Sequence, residues 1–141
     1  MAFAESLDVT TWDGYQGQVR YRAVFDGAGQ DQTDTILADI SALGGSGTAA
    51  APSRVTVQRI QAVINGDVVV TWEFDNTTDQ VIDVFSGQSD ISNPYIVDYS
   101  QGPNGGVANT SAGGTGDIVY TTTNAAAGDE VNFVIDFKKK N

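Results

Sequence analysis

VINGDVVVTWEF (63–74) is the stretch on which the reading of this chain turns. Asn65-Gly66 stands between two runs of β-branched and aromatic residues. Both residue types adopt φ > 0 readily, which a two-residue type I′ turn requires. The stretch therefore predicts a β-hairpin joining strands 54–64 and 67–74. In that register Ile64 faces Asp67, Gln61 lies near Val70, Arg59 near Trp72 and Val57 near Phe74. Val68, Val70, Trp72 and Phe74 then make the core face. A second apolar stripe, Ile60, Ala62 and Ile64 beside Val69 and Thr71, falls on the other side. A bulge at Gln58 or Arg59 would flip the phase of one strand and turn that stripe inward. Alternatively something else covers it: the N-terminal segment, a long loop or another subunit. A bare apolar stripe commonly marks an interface, so Ile60, Ala62 and Ile64 are assigned to a contact with another chain.

Outward from this stretch, period-two alternation runs along most of the sequence. QVRYRAVF (18–25), TILADI (35–40), VIDVFS (81–86), PYIVDYS (94–100), DIVYTTT (117–123) and EVNFVIDF (130–137) read as further strands. DNTTD (75–79) is turn chemistry, and 101–117 is a long loop rich in Gly, Asn and Ser. No segment sustains helical periodicity beyond two turns. About eight strands separated by turn signals predict an all-β, single-domain antiparallel β-sandwich, jelly-roll-like, over residues 17–141. Residues 1–16 lack a clear period and carry Phe3, Leu7, Val9, Trp12 and Tyr15. They read as an N-terminal arm that docks on its own sheet or on a neighbour, with Phe3, Trp12 and Tyr15 as its contact residues.

Composition excludes much chemistry. The chain has neither Cys nor His, so thiolate and imidazole nucleophiles, bases and metal ligands are all missing. No cofactor and no metal is expected. The formal net charge of −11 disfavours nucleic acid and anionic membranes. Lys138, Lys139 and Lys140 read as a solvated tail. The first residues do not read as a signal peptide, and no apolar run is long enough for a membrane helix. Synthesis in the cytoplasm is expected.

Candidate sites are few. Asp75, Asp79 and Asp83 are spaced by four, yet they lack the Asp/Asn-rich, Gly-containing pattern of a calcium loop and read as turn-forming acids. Glu73 with Glu130 or Asp117 are the only tempting members of a glycosidase pair. Trp12, Tyr15, Tyr95 and Tyr99 are aromatics that a lectin would stack on sugar rings. Arg59 near Trp72 would be a cation–π contact or simple stem packing. The glycines of GGSG (44–47) are followed by neither Lys nor a helix start, so they are not a phosphate cradle.

DTILADISALGGSG (34–47), followed by RVTVQRIQAVINGDVVVTWEFDNTTDQVIDVFSG (54–87), GDIVYTTT (116–123) and VNFVIDFKK (131–139), resembles small structural proteins of tailed bacteriophages. The resemblance spans roughly residues 32 to 137 and is one of pattern. It implies a virion component of the capsid decoration (cement) type: a non-enzymatic β-sandwich or jelly roll on the capsid surface, bound to the major capsid protein as a homotrimer. No family site residues carry over. The alternatives are a carbohydrate-binding, lectin-like surface module and a tail or neck component.

Overall fold

A computed structural model describes residues 4–9 for their backbone, and 12–27, 29–45, 52, 54–87, 93–102 and 105–140 in full. Among the described residues ten strands run in order: β1 (Ala4–Val9), β2 (Gln16–Val24), β3 (Thr35–Ala38), β4 (Val55–Asn65), β5 (Val69–Phe74), β6 (Gln80–Phe85), β7 (Tyr95–Asp98), β8 (Val107–Ala108), β9 (Ile118–Thr123) and β10 (Glu130–Lys139). A short 3₁₀ turn, Ile40–Ala42, follows β3. No helix among the described residues is long and apolar enough to cross a membrane.

The strands form two antiparallel sheets. One has the order β1-β2-β10-β4-β7, with β8 also on β4; the other is β3-β9-β5-β6. Leaving out β1 and β8, the pairs β2–β10, β3–β9, β4–β7 and β5–β6 nest inside one another along the chain. This is one long hairpin, with its tip at the DNTTD turn, rolled so that the successive nested pairs alternate between sheets. That wrapping is a jelly roll, as the sequence predicts.

The hairpin predicted at Asn65-Gly66 is not formed. β4 pairs with β10 and β7, so both of its edges are taken, while β5 pairs with β6 and β9. Only Gly66 of the two turn residues has positive φ, at 103°, so the turn is not type I′. Residues 66–68 instead carry the chain from one sheet to the other. Three extended residues reach about 10 Å, which is the separation of packed sheets and twice that of paired strands.

The arch resolves the two apolar stripes. Facing each other across the sandwich, β4 and β5 both point their apolar residues inward. Along β4 the register against β10 shifts between Asp136↔Arg59 and Phe137↔Val57, leaving Gln58 as the extra residue of a β-bulge. Val55 and Val57 before the bulge, and Ile60, Ala62 and Ile64 after it, are all buried. The bulge thus turns two out-of-phase apolar sets toward one core. Ile60, Ala62 and Ile64 are therefore core residues of a single chain, and their assignment to a subunit contact is corrected.

β10 supplies the alternation of a half-buried strand, with Val131, Phe133, Ile135 and Phe137 inside. Phe133 meets Tyr21 of its own sheet and Trp72 and Tyr120 of the other at centroid distances of 5.2, 5.4 and 5.5 Å. Within the stretch read as an arm, β1 is an edge strand that pairs along β2 from Ala4↔Val24 to Val9↔Val19. The loop before β9 is pinned by a buried reciprocal amide pair, in which Asn76 and Asn109 exchange hydrogen bonds of 2.9 and 3.0 Å.

Candidate functional site

The sequence-predicted candidates scatter. Phe3 lies outside the described residues. Trp12 stacks on Phe137 at 5.8 Å and donates its Nε1–H to the Gly44 carbonyl. Tyr15 remains exposed, at 43%. Arg59 and Trp72 belong to different sheets: Trp72 is in the core, and Arg59 pairs with strand positions on the outer face of the larger sheet. Their predicted contact is corrected with the hairpin that required it.

Asp75, Asp79 and Asp83 do not converge. Asp75 accepts from Thr115 Oγ1, Asp79 from the Asn76 N–H, and Asp83 from two tyrosines. Asp79 instead approaches Asp34 and Glu73, with carboxylate oxygens within 4.8 Å of one another. Desolvation, then the charges of Asp79 and Asp34, raise the proton affinity of Glu73. The pairing of Glu73 with Glu130 or Asp117 is not assembled. Glu130 is bonded to Arg22 at 2.7 Å, and buried Asp117 accepts the Ile40 N–H at 2.9 Å.

What the fold does assemble is a polar groove of about 410 Å³ beside the β4 bulge. Its axis is a cross-strand row on the outer face, Gln18↔Asp136↔Arg59↔Asp98, drawn from β2, β10, β4 and β7. The bulge residue Gln58 and the turn residues Asp13 and Gln16 complete the walls. Each carboxylate is fixed by one oxygen. Asp13 Oδ1 accepts the Tyr15 and Gln16 N–H groups at 2.9 and 2.8 Å. Asp98 Oδ1 accepts the Ser100 N–H and hydroxyl at 2.8 and 2.5 Å. Asp136 Oδ1 accepts Gln18 Nε2 at 2.8 Å. Backbone donors from Gln16 and Tyr15 lower the Asp13 pKa; the Ser100 hydroxyl, then its N–H, lower that of Asp98, with a smaller contribution from Arg59. Arg59, half-buried between Asp136 and Asp98, makes neither a hydrogen bond nor an ion pair among the described residues. The sequence signal for this site was the Gln58-Arg59 pair interrupting an apolar alternation; Asp98 and Asp136 carried none, because only the sheet order brings them together.

A second constellation closes the open edge of the sandwich between β6 and β7. The Tyr95 hydroxyl donates to Asp83 Oδ2 at 2.7 Å, and the Tyr99 hydroxyl donates to the same oxygen. Phe85 packs on Tyr95, with centroids 4.7 Å apart. These rings are structural, not free stacking platforms. Burial first, then the hydrogen bond to Asp83 and its charge, push Tyr95 up to about 12 and Tyr99 higher still. Both folded values lie above the unfolded value of about 10. The protonated phenols therefore stabilise the fold fully below about pH 10, and that contribution is lost as pH rises through the folded values. Urea unfolding is expected to give a constant stability at mildly alkaline pH and a falling one above about pH 10. Asp83→Asn should make this decline shallower and shift part of the tyrosinate absorbance to lower pH. An unchanged decline would remove Asp83 from the explanation.

No family model, no curated protein and no solved structure matches this chain.

Proposed function

We propose that this chain is a non-enzymatic bacteriophage virion protein, a capsid decoration (cement) protein that binds the major capsid protein and stabilises the head. The observation that carries the reading is the strand order β2-β10-β4-β7 over β3-β9-β5-β6, the wrapping found in viral capsid domains among others. One fold hosts many functions, and the resemblance of residues 32–137 supports the reading beside the architecture. The absence of Cys and His fits a binding role. With Ile60, Ala62 and Ile64 inside the core, the contact surface on this reading is the outer face of the four-stranded sheet. Ile36, Val81 and Val84 there are 46%, 52% and 49% exposed. The cross-strand rows Ile36↔Val119↔Glu73↔Val81 and Thr121↔Thr71↔Val84 run across that face, where Val119 is itself fully buried and the other β-branched side chains are half-buried or exposed. A trimer would present the face three times, and simultaneous attachment would multiply a modest single-site affinity.

The test is immunogold labelling of purified virions carrying this chain, with light scattering of the free protein. Label on the head and a mass of three chains are expected. Label on the tail or neck would reassign the protein within the particle, and its absence from the particle would refute the proposal.

A further inference from the structure

The groove beside the β4 bulge draws its walls from β2, β4, β7, β10 and the turn before β2. Its charged side chains attract one another without forming a direct ion pair. Arg59 lies between two carboxylates as cross-strand neighbours and bonds to neither. Asp13, Asp98 and Asp136 each commit Oδ1 to a donor of the protein, which fixes the carboxylate plane. Their Oδ2 atoms have no hydrogen-bond partner among the described residues. The side-chain amides of Gln16 and Gln58 add paired donors and acceptors. The site therefore offers fixed acceptors, the multi-donor guanidinium of Arg59 and two bifunctional amides in a volume within the range of small-ligand pockets.

The charge pattern selects the ligand class. Three carboxylates repel phosphate, sulfate and other anions. The Arg59 guanidinium at the centre repels a metal ion or a polyamine. A neutral polyhydroxyl ligand matches both signs, because each hydroxyl donates to a carboxylate while accepting from a guanidinium or an amide.

We infer that this groove is a saccharide-binding site, in which Asp98, Asp136 and Arg59 grip vicinal hydroxyls of a neutral sugar. The inference does not depend on the virion reading and applies to the isolated protein.

The test is a ¹H–¹⁵N NMR titration of the full chain with methyl α-glucoside, methyl α-mannoside, methyl β-galactoside and methyl N-acetyl-β-glucosaminide, with calcium chloride in a separate arm. At least one glycoside is expected to shift the amides of residues 13–17, 58–59, 98–100 and 136 saturably. Asp98→Asn and Arg59→Gln should each weaken that binding by about tenfold or more, with the remaining spectrum unchanged. If a variant loses spectral dispersion, the wild-type shift map and the other variant still decide. Silence of the groove amides across the four glycosides, a response to calcium alone, or full affinity in Asp98→Asn would each overturn the inference.

Discussion

Gly66→Ala is expected to lower the stability of this fold by about 3 kcal/mol, although it adds one methyl group on a short connection. Two independent effects act at the site. Gly66 has φ of 103°, a conformation an L side chain rarely adopts, which costs about 1–2 kcal/mol. In addition, the new Cβ would overlap the Asp129 carboxylate. Asp129 is buried, and its Oδ2 accepts the Ala126 N–H at 3.0 Å. Moving that carboxylate breaks a hydrogen bond to a charged acceptor, for about another 1.5 kcal/mol or more. For a domain of this size the sum corresponds to a melting temperature lower by roughly 10 °C. Gly128→Ala is the control: its φ is also positive, at 88°, but nothing lies within 4 Å of the added Cβ. It should cost only about 1 kcal/mol. Equal losses in the two variants, measured by thermal unfolding, would show that backbone strain alone acts at Gly66.

The same position explains where reading the sequence succeeded and where it did not. Individual strands were legible because alternation is local. Val131, Phe133, Ile135 and Phe137 repeat every second residue and are all buried. The partner of each strand was not legible, because Asn-Gly signals a reversal of direction and not its width. A two-residue hairpin and a three-residue arch begin with the same residues. What distinguishes them is whether β4 has a free edge, and β10 and β7 occupy both. The error propagated to function: a hairpin left Ile60, Ala62 and Ile64 uncovered, whereas the arch and the Gln58 bulge together bury them. The bulge itself was readable as one of two phase solutions. β1 and β8 were missed for different reasons. Residues 4–9 alternate weakly, and β8 is two residues held by Thr56↔Ala108 and Val57↔Val107 inside a Gly-rich loop. The groove was hidden because its walls come from β4, β7, β10 and the turn before β2, over a hundred positions apart at the extremes.

Phe133→Ala is expected to be the most damaging single truncation, costing about 3–5 kcal/mol. Phe133 is where the two sheets meet through aromatic rings. Trp72 and Tyr120, from the smaller sheet, present edge-to-face geometry toward it at interplanar angles of 89° and 71°. Tyr21, from its own sheet, sits edge-on to Tyr120 at 4.8 Å, and the Tyr120 hydroxyl donates to that of Tyr21 at 2.5 Å. Alanine at 133 removes the ring these neighbours share. The strands on either side are locked by their ladders, so the void cannot close by collapse. Phe133→Leu keeps most of the volume and should cost about 1.5 kcal/mol. Val134→Ala, on the half-exposed opposite side of β10, should cost less than about 1 kcal/mol. Denaturant midpoints should fall in that order with a constant slope against denaturant, since all three variants expose similar surface on unfolding. Ile60→Ala belongs to the same series and separates a core from a seam. A fully buried residue of one chain should lose about 2–4 kcal/mol on truncation while the native mass in solution stays that of the wild type. A seam residue would instead change the mass and leave the unfolding of the single chain nearly untouched.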